Sequence, residues 1–246
     1  MFAFTIWGKF ASFKDPFTIS QNITLLIPPK TTIGGILASF LGLPYQSDRD
    51  NIAYYDDEDF FDFKYSCVIL NPIIKKSFSQ NYINDYTKTF STKLENLKKG
   101  KATPFKVSPK PINRELLLNP KYLIFIKDFK YEKKVAELIK TRETIYPLYL
   151  GNSEFAGNYK YIELLSKQKK KEDTELDSFM LQQDSKKILF TENTIYSQSR
   201  FATKTTKDRS YQDYQNVILS DGKIGARDIE FYEIKTKNNI YNCQFL

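Results

Sequence analysis

The clearest periodic pattern of apolar residues is in the stretch PPKTTIGGILASFLGL, between residues 28 and 43. Its apolar side chains recur at intervals of three and four residues: Ile33, Ile36, Leu37, Phe40 and Leu41. This spacing predicts a helix that turns one apolar stripe toward a core. We expect Thr31 or Thr32 to cap its start and Gly42 to end it.

The opposite side of this helix is built from small residues rather than charged ones: Gly34, Gly35, Ala38 and Ser39. An interior glycine costs a helix about 1 kcal/mol relative to alanine, so a close neighbour is expected to compensate. That neighbour is either a second layer of protein or, at the exposed start of the helix, a nucleic acid backbone. A phosphate-binding loop is excluded, because such a loop needs glycines before its lysine, and here Pro28 and Pro29 precede Lys30.

Alternating and periodic apolar residues predict further strands and a second helix. Residues 2–7 (FAFTIW), 63–70 and 122–126 read as strands, and 130–141 reads as a second helix with Val135, Leu138 and Ile139 facing in. Residues 145–157 read as a strand ending in a glycine loop. The order βαββαβ predicts an α+β fold with a ferredoxin-like or RRM-like core.

The sequence after residue 165 predicts a second region that is rich in β-strands. The polar run SKQKKKEDT, residues 166–174, reads as a linker between an RRM-like domain at 1–165 and a C-terminal region at 175–246. Within that region, residues 187–191, 217–219, 228–235 and 240–246 have strand character.

The positive charge of the chain is concentrated in one segment. The whole chain carries +8, and the segment between residues 75 and 114 alone carries ten basic residues and two acids, while bases and acids balance elsewhere. Gly100, Pro104, Pro109 and Pro111 interrupt any helical pattern there. We interpret the segment as a long basic β-hairpin or loop that projects between two core strands and binds a polyanion; a solvated lysine-rich segment is the alternative.

Composition excludes several chemistries. The chain has no histidine, which removes Ser-His and Cys-His catalysis, and its two cysteines cannot hold zinc alone. The acidic residues between positions 48 and 62 are expected to be solvated rather than to bind Mg²⁺. There is neither an apolar run of membrane-spanning length nor a signal-type N-terminus. We therefore expect a cytoplasmic protein without cofactor, metal or membrane partner.

Four segments, in order, resemble one family: IWGKFASFKDP, IPPKTTIGGILASFLGL, KPINRELLLNPKYLIFI and YPLYLGNSEFA, which together span residues 6–156. This ordered set resembles the Cas-five family of CRISPR-associated RAMP proteins, subunits of Cascade-type surveillance complexes in antiviral defence, and is most similar to the type I-B branch. The resemblance implies a subunit that binds the 5′ handle of the CRISPR RNA (crRNA). It also implies a thumb hairpin that contacts the backbone RAMP subunit, a contact with the large PAM-reading subunit, and an indirect relation to target DNA. The basic segment at 75–114 takes the thumb's place in the chain.

Single-stranded RNA is held by cationic contacts to phosphates and by aromatic stacking. The resulting candidate RNA-binding residues are Lys9, Phe10, Phe13, Lys14, Lys30, Thr31, Thr32, Lys98, Lys99, Lys101, Arg114, Gly151, Asn152 and Ser153. Each group has a structural alternative: packing for the aromatics (Trp7 included), capping for the threonines, solvation for the arginine and an ordinary turn for Gly151–Ser153.

Two other functions remain open at this stage. Type I-C members of the resembled family cut precursor RNA without metal, and Tyr45, Tyr54 and Tyr55 offer tyrosines for such an endoribonuclease. The lack of histidine favours a non-catalytic RNA binder over this enzyme, because a missing general acid–base group costs on the order of 10²–10⁴ in rate. A basic scaffold that makes only protein contacts is the third possibility.

Overall fold

The computed structural model describes residues 1–18, 21–44, 46–47, 52–57, 59–83, 94–96, 98–100, 109–206, 208 and 210–246. It is a strand-rich α/β protein, and the described residues include two helices of at least ten residues, α1 (Lys30–Leu41) and α2 (Glu132–Thr141). The first nine strands are β1 (Phe2–Trp7), β2 (Phe10–Ala11), β3 (Phe13–Lys14), β4 (Thr24–Leu25), β5 (Lys64–Ile69), β6 (Ile74–Ile83), β7 (Pro109–Leu118), β8 (Lys121–Lys127) and β9 (Asn158–Ile162). The others are β10 (Leu164–Leu176), β11 (Met180–Leu181), β12 (Ile188–Leu189), β13 (Tyr196–Thr205), β14 (Tyr211–Ser220), β15 (Ile224–Thr236) and β16 (Ile240–Cys243), with a 3₁₀ helix at Gln182–Lys187.

A four-stranded antiparallel sheet in the order β5-β8-β1-β9 lies at the centre of the molecule. Alternate residues of β1 (Phe2, Phe4 and Ile6) are buried in the same apolar cluster as the inward faces of α1 and α2. The Phe4 ring meets the edge of Phe40 with centroids 6.2 Å apart. Three of the strands predicted by alternation, at 2–7, 63–70 and 122–126, are confirmed within one residue at either end.

Helix α1 carries the predicted stripe, and all five of its apolar residues are buried. Gly42 ends the helix as predicted, with a left-handed φ of 72°. The predicted threonine cap is wrong: Pro29 occupies the N-cap position in extended conformation, and no side chain among the described residues caps the helix. Protein covers the small face, since a Cβ on Gly34 would lie 2.3 Å from the Phe61 ring.

The predicted strand at 145–157 is wrong. Its aromatic alternation reflects exposed side chains, since Ile145, Tyr146 and Tyr149 are each more than 40% exposed. The segment is a loop, and the strand that pairs with β1 at this edge is β9. Helix α2 buries Val135 and Ile139, while Leu138 remains only partly buried.

The predicted linker at 166–174 is also wrong, because these residues form most of β10 and pair antiparallel with β15. Opposite charges across the two strands explain how such a polar run joins a sheet: Lys169 lies 2.7 Å from Glu230, and Lys170 lies 2.6 Å from Glu233. The other predicted C-terminal strands are present, although 187–191 and 240–246 shorten to β12 and β16.

The C-terminal strands pack on both sides of the molecule, against α1 on one side and directly against the central sheet on the other. Phe201 of β13 and Val217 of β14 share the cluster that contains α1. On the opposite face, Ile234 of β15 and Cys243 of β16 pack against Ala3 and Phe125. Strands β15 and β16 leave part of the sheet face opposite the helices uncovered, at the C-terminal end of β1.

Strands β6 and β7 pair antiparallel from Ile74–Leu118 to Ile83–Pro109. Strand β2 adds to the outer edge of β7 at Phe10–Leu118 and Ala11–Leu117. Most of the basic segment between the two strands lies outside the described residues, Lys101 included.

Candidate functional site

A cavity of about 200 Å³ opens at the N-terminal end of α1. We call it the helix-end cavity. Its lining comes from the β2–β4 region, the start of α1, the loop after α2, and the β13–β14 sheet: Ser12, Phe13, Lys14, Pro16, Leu25, Pro29, Thr31, Thr32, Gly151, Asn152, Arg200, Ala202 and Tyr211. It therefore brings together candidates from three separate segments of the sequence.

Glycine at position 151 allows two of these segments to meet. Gly151 has a φ of +92°, and a Cβ there would lie 1.8 Å from the carbonyl oxygen of Ser12. The amide of Ser12 donates to the carbonyl of Leu150 at 3.1 Å, and the Ser12 hydroxyl donates to the carbonyl of Glu115. The loop after α2 is thus held against the β2–β3 bend by backbone contacts that leave no space for a side chain.

Phe13, Thr31 and Thr32 are uncharged members of the cavity lining. Phe13 is only 1% exposed, and its ring lies 6.1 Å from that of Tyr122. Its expected role in base stacking is corrected to packing. Thr31 and Thr32 are partly exposed at the first turn of α1, where the positive end of the helix dipole favours an anion.

Arg200 supplies a cation at the cavity wall that no local sequence signal indicates. Its guanidinium carbon lies 5.1 Å from the Phe17 ring centroid and 4.8 Å from that of Tyr214. The two rings are themselves 5.0 Å apart. These contacts orient an exposed guanidinium at the rim, close to Tyr211 and to the exposed Lys14.

Lys30 does not reach the cavity. It is 7% exposed, and its ammonium lies 5.0 Å over the Phe63 ring. Burial, followed by the nearby positive charge of Lys204, lowers the pKa of Lys30 to about 8. The expectation of a phosphate-binding ammonium here is corrected: the side chain packs into the protein beside the start of α1.

Lys9 and Phe10 form a separate surface beside the loop after α2. The Lys9 ammonium lies 5.9 Å from the Phe10 centroid, and the Phe10 ring lies 6.3 Å from that of Phe155. Lys9 is exposed and Phe10 is partly exposed. Cation and ring are therefore both accessible, as stacking on a base requires.

Arg114 links the β6–β7 pair to the loop after α2. Its guanidinium donates to Gln80 Oε1 and to Glu154 Oε1, both at 2.9 Å. The hydrogen bond from Arg114 holds the pKa of Glu154 below its usual value. Of the neighbouring predicted residues, Asn152 lines the helix-end cavity and Ser153 is exposed outside it.

Lys98 and Lys99 of the basic segment are exposed, and Lys101 lies outside the described residues.

Of the tyrosines considered for catalysis, Tyr54 packs against Phe60 and Phe61, and burial raises its pKa to about 12. Tyr45 is outside the described residues.

Within the described part of the chain, no cluster of Cys, Asp or Glu suits a metal ion, and no helix combines the length and apolar character that a membrane span requires.

Several solved structures are similar to this chain. A chain of the structure titled "Cryo-EM structure of the Type III-B Cmr-beta bound to cognate target RNA and AMPPnP, state 1" is 11% identical with a TM-score of 0.52, covering 91% of this chain and 86% of its own. A "CRISPR RNA-guided surveillance complex" chain is 10% identical with a TM-score of 0.49, covering 92% and 91%. A "CRISPR protein from Archaeoglobus fulgidus" is 12% identical with a TM-score of 0.46, covering 98% of each chain.

Sequence comparison gives the family itself. No curated protein matches the chain. The family model described as "CRISPR-associated protein (Cas_Cas5)" matches residues 1–218, which is most of the chain. The chain therefore belongs to the Cas5 family of CRISPR-associated proteins.

Proposed function

We propose that this chain is a non-catalytic subunit of a type I CRISPR surveillance (Cascade) complex that binds and caps the 5′ handle of the crRNA. One observation carries the proposal: RNA-contact candidates from three distant segments line the helix-end cavity. Family membership supplies the CRISPR context.

The central sheet supports an RRM-like core for this subunit. Its strands follow the chain as βαββαβ, with β1 between β8 and β9 and every pairing antiparallel. This order and these pairings support the assignment, because they agree with those of the split βαβ fold. We assign the β6–β7 pair and the basic segment between its strands to the thumb.

The cavity suits the terminal part of a single strand. Lys14 and Arg200 supply cations, while Thr31 and Thr32 supply hydroxyls beside the positive end of α1. The Phe17 and Tyr214 rings, which the Arg200 guanidinium contacts, offer aromatic faces for a base, and Phe10 beside Lys9 offers another aromatic face.

The assignment as non-catalytic rests on proton transfer. Cleavage by a ribose 2′-OH needs a base whose pKa lies near the working pH. The raised pKa of Tyr54 disfavours its ionisation, and the chain has no histidine. The pKa of Lys30 is about 8, but its ammonium is buried over Phe63 and does not line the helix-end cavity. A separate nuclease of the same system would then process the RNA.

Family membership supports RNA and Cas subunits in general as partners. The thumb would contact the backbone RAMP subunit, and another surface would contact the large PAM-reading subunit. The relation of this chain to target DNA would then be indirect, through the complex. The type I-B branch is the assignment that the four sequence motifs support best.

The test is incubation of the purified chain with labelled repeat-containing RNA in EDTA, read by gel shift and by RNA length. We expect salt-sensitive binding that prefers the free handle and leaves the RNA intact. A discrete cut within the repeat would instead make the chain a histidine-free processing nuclease. Salt-insensitive behaviour without handle preference would favour the protein-only scaffold.

A further inference from the structure

The open end of the central sheet carries a second cleft, on the face opposite the helices. Its volume is about 470 Å³. Residues that pair across β1, β8 and β9 share this face: Thr5 lies opposite Leu123 and Lys160, and Trp7 lies opposite Lys121. The β15–β16 turn, at Thr236–Asn239, forms the far wall. We call this the sheet-face cleft.

The cleft is basic and is built on a fixed frame. Lys121, Lys160 and Lys237 line it, with Glu163 as the one acid in the lining. None of these three lysines forms an ion pair with any other residue that the structure describes, although lysines of the neighbouring β10 do. The turn wall is rigid, because Thr236 and Asn239 exchange hydrogen bonds of 2.8–3.1 Å.

Trp7 gives the cleft an aromatic surface. It is the only tryptophan of the chain, it ends β1, and it is only partly buried. The adjacent part of the same face is filled by Ala3, Phe125, Ile234 and Cys243, so the C-terminal layer stops short of Trp7. A ring left partly open beside three unpaired lysines meets the requirements for base stacking with phosphate contacts.

We propose that the sheet-face cleft binds a single-stranded nucleic acid segment, with a base on Trp7 and phosphates at Lys121, Lys160 and Lys237. The site is distinct from the helix-end cavity: the two share no lining residue, and they lie on opposite faces of the central sheet. An RNA strand and a DNA strand offer the same phosphates and base faces to this cleft, and the experiment separates them.

The fluorescence of Trp7 tests the site directly, because no other tryptophan contributes. The full chain is titrated with an unrelated single-stranded RNA, with single-stranded DNA of the same sequence, and with polyglutamate as an acidic polypeptide. We expect saturable quenching by one or both oligonucleotides. The K121E/K160E/K237E variant should bind at least tenfold more weakly. Its slope of log K against log salt should be smaller by about 2, since each phosphate that is no longer neutralised accounts for about 0.7.

A matched variant controls for net charge. K133E/K134E/K186E reverses three exposed lysines outside the cleft and should retain most of the quenching. Equal losses in both triple variants, quenching by polyglutamate alone, or unchanged fluorescence at saturating oligonucleotide would each overturn the proposal. Thermal melts by circular dichroism identify a variant that fails to fold, and the single variant K160E then replaces the triple one.

The gel shift with handle RNA reports separately on the proposed function. If Trp7 responds while handle preference is absent, the cleft assignment stands and the handle-capping function fails. If handle preference is present but Trp7 does not respond, the handle-capping function stands and the cleft assignment fails.

Discussion

Gly151 allows the close backbone contact that holds one part of the helix-end cavity in place. We expect G151A to lower the free energy of unfolding by about 1–3 kcal/mol, because a side chain there meets both a left-handed backbone and the Ser12 carbonyl. Handle RNA should also bind more weakly as the loop moves away from the β2–β3 bend. Urea unfolding and gel shifts measure the two effects, and G222A is the control, since the nearest atom to its Cβ is 4.0 Å away. Equal stability of the two variants would contradict the role of Gly151.

Arg200 is expected to contribute to RNA affinity because contacts with two aromatic rings hold its guanidinium at the helix-end cavity. R200A should weaken handle binding by about 1–3 kcal/mol, the usual range for the removal of one stacking interaction. R227A removes an exposed arginine that does not line the cavity, and it should bind nearly as well as the wild type. Fluorescence anisotropy with labelled handle RNA measures both, and equal losses of affinity would show that only net charge matters.

The buried ammonium of Lys30 makes stability depend on pH. The pKa of this lysine is about 8 in the folded chain, against an ordinary value of 10.5, so the unfolded chain binds more protons between these limits. The Lys30 contribution to the free energy of unfolding therefore rises from pH 8 toward pH 10.5, by up to about 3 kcal/mol.

K30M tests this dependence. The variant should be more stable than the wild type at pH 7, and its advantage should shrink at pH 9 and 10. Urea unfolding at each pH gives the difference, in which the ionisation of tyrosines common to both proteins cancels. A difference that stays constant with pH would show that the ammonium is solvated.

Single residues are the hardest part of the site to predict. Lys14, Thr31 and Thr32 can be found because charge and hydroxyls are visible in the sequence. Lys30 has the same chemistry, but it turns inward over Phe63, and only the packing shows this. Arg200 is 186 residues from Lys14 along the chain, and no local signal connects them.

The basic segment between β6 and β7 is the element on which RNA affinity is expected to depend most. Reversing Lys98, Lys99 and Lys101 together should weaken RNA binding and reduce the salt slope, by about 0.7 for each phosphate that is no longer neutralised. Titrations at several salt concentrations measure the slope, with K133E/K134E/K186E as the variant of equal charge. Unchanged affinity and slope would refute this role of the segment.

Elements are predicted well where one pattern dominates. The apolar stripe of α1 and the alternating apolar residues of β1 are sufficient to predict these two elements. Burial of one face makes apolar residues recur at the period of a helix in α1 and of a strand in β1. Strand β10 escapes prediction because its lysines are balanced by acids of β15 more than fifty residues away. The exposed aromatics Tyr146 and Tyr149 produce the opposite error, since alternation without burial does not make a strand.

At the scale of the whole molecule, the pairing of β10 argues against a flexible connection at 166–174. We expect trypsin to cleave the native chain slowly after Lys167, Lys169 and Lys171, since cleavage requires local unfolding of a strand paired with β15. Mass spectrometry of a time course locates the cuts, and the same protein in urea is the control. Cleavage there before any other site would support two domains joined by a linker.

The pairing of β1 has a consequence for how the chain folds as it is made. Its partners β8 and β9 come about 115 to 160 residues later. At 5–20 residues per second, roughly 6–25 s pass between the synthesis of β1 and that of β8. During that interval the uncharged run FAFTIW lacks its partner strands, and it has the composition of segments that associate between chains. Slower synthesis prolongs this exposure, so the yield of folded protein should depend on translation rate and on chaperones that hold the nascent N-terminus.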